Sequence, residues 1–120
     1  MTVRRLKTYT GEQGYVYQYY YVGKRPAMVG LSNAPAVEYV FDVTSDRKTM
    51  FSVSLFVPKD TLKGWAAHHG RELTEAEEYA AVKMRLFRGF DEIEDMMGQG
   101  RSLVLDSPAL EELLATLGVA

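Results

Sequence analysis

The sequence predicts an α+β fold, in which a four-stranded antiparallel sheet made of two hairpins is covered on one face by a short helix and a long helix. Two observations lead to this prediction. Residues 1–57 alternate aromatic and β-branched residues with polar ones, whereas residues 58–120 repeat apolar residues at three- and four-residue steps. A small C-terminal strand and helix complete the pattern. Because no linker interrupts its 120 residues, we expect one domain, residues 1–120.

The composition is that of an ordinary globular domain, with 47% hydrophobic and 25% charged residues. There is no cysteine, which excludes a disulfide framework and a thiolate metal site. We expect a cytoplasmic protein without a membrane partner, because the N-terminus does not resemble a signal peptide and the apolar runs are short. The net charge of −2 is unevenly placed, since residues 1–25 carry +4 and residues 72–95 carry −5. The two regions either complement each other or leave a basic surface for an anionic partner.

The segment YVYQYYYVG, residues 15–23, carries five tyrosines, a density that a hydrophobic core seldom needs. Its aromatic and β-branched residues predict a strand. On a strand, alternate tyrosines share one face: Tyr15, Tyr17, Tyr19 and Tyr21. Tyrosine is amphipathic, so these rings either pack inside the domain or form a surface that binds a protein, nucleic acid or a small ligand.

The pairing of this strand with the preceding one decides between those alternatives. A five-residue turn, residues 10–14, pairs Lys7 with Tyr17 and Arg5 with Tyr19, and creates a cationic, aromatic face suited to flat anionic ligands. A four-residue turn sets Leu6 opposite Tyr17 and directs the tyrosines inward, because a one-residue slip exchanges the two faces. The candidate binding surface consists of the tyrosines and the nearby basic residues: Arg5, Lys7, Tyr15, Tyr17, Tyr19, Tyr21, Lys24 and Arg25.

The next stretch, GKRPAMVGLSNAPA, predicts a long loop over residues 23–36, because two glycines and two prolines interrupt any regular pattern. Loops of this length are uncommon in compact domains and are often functional. Its apolar residues Met28, Val29 and Leu31 are expected to tuck beneath the loop, with docking onto a partner as the alternative.

Two clearer strands follow, VEYVFDV and TMFSVSLFV, joined by a polar turn over residues 44–48. Alternation places Val37, Tyr39, Phe41, Val43, Phe51, Val53 and Leu55 on one buried face. A five-residue turn pairs Phe41 with Phe51 in an antiparallel hairpin. The opposite face brings the carboxylates of Glu38 and Asp42 close to serine hydroxyls, an arrangement typical of a solvated sheet face.

Helical patterns dominate the second half of the chain. The segment DTLKGWAAHHG, residues 60–70, predicts a short helix. Thr74 and Glu77 have the spacing of a capping box that begins a long helix, which is expected to reach about Met97. The segment SLVLD predicts a short strand, and the Ser-Pro pair that follows predicts the start of a terminal helix.

The motifs of nucleotide-binding loops, zinc proteases and serine hydrolases are absent from the sequence. Adjacent His68 and His69 point about 100° apart on a helix, which disfavours a shared metal ion. We therefore expect a non-enzymatic domain without cofactor or metal, whose partner is another protein or a second copy of this chain, as in a homodimer. Nucleic-acid binding by the basic, tyrosine-rich hairpin is the alternative, and an enzyme or ligand-binding domain acting on a small molecule in a pocket between sheet and helix is the third.

Overall fold

The computed structural model describes residues 6–119, which form a mixed α/β fold with a five-stranded curled sheet and four helices. The strands are β1 (Lys7–Thr10), β2 (Val16–Val29), β3 (Ala34–Thr44), β4 (Phe51–Pro58) and β5 (Ser102–Val104). The helices are α1 (Lys59–His69), α2 (Glu75–Glu92), α3 (Met96–Gln99) and α4 (Ser107–Thr116). Within these residues, the strands lie in the order β1-β2-β3-β4-β5.

The sheet has one strand more than the sequence predicted. Strands β1 to β4 form an antiparallel meander, and β5 joins β4 in parallel, with Ser54 opposite Ser102 and Phe56 opposite Val104. A parallel neighbour needs a long crossover connection, which α1, α2 and α3 supply between β4 and β5. The C-terminal strand is therefore part of the main sheet rather than a separate small unit.

The prediction of a long loop at residues 23–36 is wrong. These residues continue β2 and begin β3, and only a four-residue turn, 30–33, separates the two strands. Both prolines lie where one neighbouring strand is missing among the described residues: Pro26 lies beyond the end of β1, and Pro35 lies beyond the last residue paired with β4. The nitrogen of proline carries no hydrogen, so a proline whose nitrogen faces an open edge removes no hydrogen bond from the sheet. Met28 and Leu31 are exposed, so they do not tuck inward.

The first hairpin adopts neither of the two predicted registers. Tyr9 pairs with Tyr17 and Lys7 with Tyr19, and the loop contains only three residues, 12–14. Gly14 has a φ of 87°, the left-handed conformation that closes a three-residue hairpin loop. The odd-numbered tyrosines therefore share a face with Lys7, as in the five-residue-turn alternative, but that face is directed towards the helices.

The second hairpin has the predicted faces with a register shifted by two residues. Phe41 pairs with Val53 instead of Phe51. The shift arises in the turn, where the Asp46 carboxylate accepts hydrogen bonds from the backbone amides of Lys48 and Thr49, each at 2.8 Å. Because the turn uses Thr49, the strand begins two residues later than alternation alone suggested.

The helices agree with the predicted pattern except at the end of the long helix. The capping box is confirmed, with the Glu77 amide 3.1 Å from the Thr74 hydroxyl and the Thr74 amide 2.9 Å from the Glu77 carboxylate. Helix α2 ends at Glu92 rather than near Met97, because Asp95 caps the separate helix α3. This break buries Met96 and leaves Met97 exposed.

A single hydrophobic core lies between the helices and one face of the sheet. The sheet contributes alternate residues of the meander, and the helices contribute their apolar stripes. The fully buried members include Tyr39, Phe41, Val43, Val53, Leu55, Val57, Val82, Leu86, Phe90, Leu110 and Leu114. Among the described residues, no helix packs across the other face of the sheet, although Met97 of α3 borders it beside Asp42 and Ser52. That asymmetry positions the candidate surface.

Candidate interaction surface

Two of the four aligned tyrosines belong to the core. Tyr17 and Tyr19 are 3% and 4% exposed and pack against the phenylalanine rings of α2. Tyr21 is partly buried beside Tyr79, with the ring centroids 5.0 Å apart, and only Tyr15, at the start of the strand, is 46% exposed. A binding surface that requires Tyr17 and Tyr19 is therefore not accessible in this fold.

Burial also changes the acidity of these phenols. The loss of hydration raises the pKa of Tyr17, Tyr19 and Tyr21, because the charged phenolate is disfavoured away from water. Burial, followed by a hydrogen bond to Asp91, raises the pKa of Tyr9 to about 12. These groups remain protonated at neutral pH and act as core residues with polar rims.

The basic residues of the candidate surface are separated from one another. A register shift between Tyr21 and Gly23 moves Lys24 to the helix side of the sheet and Arg25 to the opposite side. The Lys24 ammonium lies 3.8 Å from Glu75 and 5.7 Å from the centre of the Tyr39 ring. Lys7 is exposed on β1, and Arg5 lies outside the described residues. Among the described residues, the structure therefore does not gather these cations and tyrosines into one exposed surface.

The face of the sheet turned away from the helices is here called the outer sheet face. It is composed of alternate residues of β2 to β5: Val16, Gln18, Tyr20, Val22, Arg25, Glu38, Val40, Asp42, Ser52, Ser54, Phe56 and Val104. Val16, Val22 and Val104 are 42%, 40% and 43% exposed, whereas the residues nearer its centre are partly buried. The surface therefore combines apolar residues with two polar clusters.

The first polar cluster joins three strands through Glu38. Arg25 donates to both carboxylate oxygens of Glu38, at 2.9 and 3.2 Å, and the Ser54 hydroxyl donates at 2.6 Å. Glu38 is only 8% exposed although it lies on the outer sheet face. The bond from Arg25, followed by the bond from Ser54, lowers the pKa of Glu38 and keeps it ionised.

The second polar cluster lies on the other side of Val40. The Tyr20 hydroxyl donates to Asp42 at 2.7 Å, and the Ser52 hydroxyl donates to the other carboxylate oxygen at 3.2 Å. Both acids of the outer sheet face are thus satisfied by neighbouring donors. Removing water from an ionised group costs less free energy when the group already has hydrogen-bond partners than when it has none.

Sequence reasoning found only part of this surface. It placed Glu38 and Asp42 near the serines, and it selected Arg25, though with tyrosine neighbours that the structure does not give it. It did not select Tyr20, because the predicted binding surface was built from the tyrosines of the opposite strand face. The useful signal was the alternation itself, which separates Tyr20 from Tyr19 and Tyr21.

The structure gives limited support to the two alternative functions. Arg25 and Lys24 are paired with acids, which reduces the positive charge that a nucleic-acid surface needs. A cavity of about 410 Å³ at the sheet is lined in part by Asp42, Ser52 and Arg101. Another of about 370 Å³ lies between β1, α2 and α4 and is lined in part by Tyr9 and Phe87. Both alternatives stay predictions without a test.

No family model, curated protein or solved structure matches this chain. Among residues 6–119, no helix is both long and apolar enough to cross a membrane.

Proposed function

We propose that this protein is a non-enzymatic interaction module that self-associates through the outer sheet face. The observation that carries the proposal is the combination of an uncovered, partly apolar sheet face with carboxylates that already have hydrogen-bond donors. Helices cover one face of the sheet, and among the described residues no second layer covers the other. Sheets commonly bury a second face by packing against another sheet about 10 Å away.

The centre of the outer sheet face has the features of an interface core. Val40 and Phe56 lie near its middle, and a hollow of about 210 Å³ is lined by Val22, Arg25 and Val40 together with Gly23 and Lys24. Interfaces are enriched in aromatic residues and arginine at their centres, and their strongest contacts fill such hollows. Tyr20 and Arg25 supply these residue types.

A second copy of the chain is the partner that the spacing of the two polar clusters favours. Glu38, Val40 and Asp42 follow at two-residue steps, so the two polar clusters lie about 7 Å on either side of Val40. A two-fold axis through Val40, parallel to the sheet and perpendicular to the strands, would bring Glu38 of one copy over Asp42 of the other. Arg25, on the neighbouring strand, would then lie beside both carboxylates. Each copy then offers the same complementary patch, as a closed two-fold interface requires.

Contact between faces is favoured over strand addition at the edge. Beyond Tyr19, no described strand pairs with the outer edge of β2, so residues 20–29 are open on that side. This edge carries Lys24, Arg25 and Pro26. Basic residues and proline are common protections against edge-to-edge pairing, because charge repels a second strand and proline lacks an amide donor.

The test is the concentration dependence of molecular mass, measured by sedimentation equilibrium from about 1 to about 500 µM, which covers weak and moderate association. We expect wild type to form a dimer within this range. Val22→Lys places a charge in the hollow beside Val40, within the proposed contact, and should shift the protein to monomer. Val22 is 40% exposed, so the substitution is tolerated by the folded monomer.

Leu31→Lys is the matched control, because Leu31 is fully exposed at the turn between β2 and β3, away from the outer sheet face. It should leave the dimer intact. A strict monomer over the whole range, or dissociation by Leu31→Lys without dissociation by Val22→Lys, would contradict the proposal. Affinity for an oligonucleotide that falls steeply with salt would instead support the nucleic-acid alternative.

A further inference from the structure

We infer that His68, His69 and Glu111 form a binding site for a divalent transition metal, with Zn²⁺ as the expected ion. The ligand atoms of these three side chains all lie within 4.8 Å of one another. Two imidazoles and one carboxylate are a common ligand set for zinc, with a fourth position left to water. The inference is independent of the self-association proposed above.

The site is created by the packing of two helices that are distant in the sequence. His68 and His69 form the last turn of α1, and Glu111 lies on α4, 42 residues away from His69. Nε2 of His69 is 2.9 Å from each of the two carboxylate oxygens of Glu111. This contact already places a nitrogen and an oxygen close to the positions that they would take as two ligands of one metal ion.

The distances allow an ion with small movements. Zn²⁺ bonds of about 2.0–2.2 Å place two tetrahedral ligand atoms about 3.4 Å apart, so His69 and Glu111 need to separate by only about 0.5 Å. His68 has to approach further, because two ligands of one ion are at most about 4.2 Å apart. His68 is exposed at the helix end, so its ring is free to rotate without disturbing the core.

The surroundings hold His69 in place. Its ring stacks on Trp65, with centroids 4.2 Å apart, and its side chain is 20% exposed. The nearby Arg71 pairs through two hydrogen bonds with Glu77, both at 2.9 Å, which offsets its positive charge. A preorganised ligand and a neutralised cation both favour metal binding.

The simpler interpretation of this cluster is an ordinary His69–Glu111 ion pair. The role of His68 distinguishes the ion pair from a metal site. In an ion pair, His68 has no role. In a metal site, it supplies the third ligand. Within α1 alone, neighbouring histidines are poorly placed to share an ion. The packing of α4 on α1 adds Glu111 to the cluster.

Calorimetric titration of the untagged protein with Zn²⁺, up to about 1 mM free metal, is the first measurement. We expect saturable binding of one ion per chain and a higher unfolding temperature, because the ion links α1 to α4. His68→Ala and Glu111→Gln should each weaken binding at least about tenfold, since even indirect partners of a metal change affinity by that factor.

Glu94→Gln is the control, because it removes one exposed carboxylate outside the cluster. It should bind Zn²⁺ like wild type. Replacement of Zn²⁺ by Co²⁺ gives a second measurement, in which a tetrahedral site produces visible absorption that His68→Ala abolishes. Absence of binding in wild type, or binding that is unchanged in both His68→Ala and Glu111→Gln, would overturn the inference.

Discussion

The ring of Tyr17 lies parallel to that of Phe90, with centroids 4.2 Å apart and an angle of 7° between the planes. A second stack joins Tyr9 to Phe87 at 4.3 Å and 4°. Phe87 and Phe90 are three residues apart and therefore lie on one side of α2. The first hairpin is thus attached to the long helix by two stacked aromatic pairs, which accounts for part of the unusual tyrosine density.

Tyr17→Ala is expected to lower the free energy of unfolding by about 3–5 kcal/mol, because it removes a buried aromatic ring and leaves a cavity against Phe90. Tyr15→Ala changes a ring that is 46% exposed and should cost less than about 1 kcal/mol. Urea denaturation of both variants measures the difference. Similar losses in the two variants would contradict the buried position of Tyr17.

Asp91→Ala is expected to loosen the first hairpin and to make Tyr9 more acidic. The Asp91 carboxylate accepts from the Tyr9 hydroxyl at 2.8 Å and from the Glu12 amide at 2.9 Å. Burial is the larger cause of the raised pKa of Tyr9, about 12, so removal of Asp91 should lower that pKa without returning it to 10.0. Spectrophotometric titration of the tyrosines, with Tyr9→Phe as the reference for assignment, measures the change.

The same raised pKa predicts sensitivity to alkali. A phenol whose pKa is higher in the folded than in the unfolded state contributes its full stability below pH 10, and that contribution is lost as the pH rises towards 12. Wild type should therefore lose stability over this window, and Tyr9→Phe should lose less. Denaturation midpoints at several alkaline pH values provide the test, and equal losses in both proteins would argue against a perturbed Tyr9.

Arg25→Ala is expected to destabilise the sheet at pH 7 and to matter less in acid. The substitution leaves the nearly buried Glu38 carboxylate with only Ser54 as a donor among its described partners. The pKa of Glu38 is lowered in the folded state, so its contribution is present above pH 4.5 and is lost as the pH falls through the folded value. The difference in unfolding midpoint between wild type and Arg25→Ala should therefore shrink below pH 4.5.

Two further variants isolate this interaction. Lys48→Ala removes an exposed cation from the turn before β4 and should have little effect at either pH. Combination of Arg25→Ala with Glu38→Gln should cost less than the sum of the single changes, because the two residues are bonded to each other. Strict additivity would show that the pair contributes nothing beyond its separate contacts.

Thr74→Ala is expected to cost about 1 kcal/mol, the usual loss when a helix cap is removed. Thr74→Ser keeps the hydroxyl and should remain close to wild type.

The bond from Arg71, followed by that from the Thr74 amide, lowers the pKa of Glu77 to about 2. The contribution of Glu77 to stability is thus present above pH 4.5 and lost between about pH 4.5 and 2, which thermal unfolding at acid pH can measure.

Much of the fold follows from short-range patterns in the sequence. Alternation placed Tyr39 and Phe41 on the buried face, and the Thr74–Glu77 spacing located the start of α2. These features leave a signal in residues that are close in the chain, so a short segment is enough to reveal them. The break between α2 and α3 at the Asp95 cap is also local. It was not predicted because the helical spacing of apolar residues continues across the break.

The candidate surfaces could be predicted less well. Arg25 was selected from its charge, but its pairing with Glu38 depends on the register shift at Gly23, which removes it from the tyrosine face. The proximity of Glu111 to His69 depends on how α4 packs on α1. Neither relationship leaves a periodic signal, because each joins segments whose separation along the chain carries no pattern.

Local sequence therefore accounts for which segments are strands or helices and which of their residues avoid water. Tertiary structure alone decides that Tyr17 and Tyr19 of β2 meet α2, that β5 completes the sheet beside β4, and that no described helix packs across one sheet face. The physical reason is that the periodicity of apolar residues shows only which side of one helix or strand avoids water. The choice of the opposing element depends on the packing of side chains contributed by the whole chain.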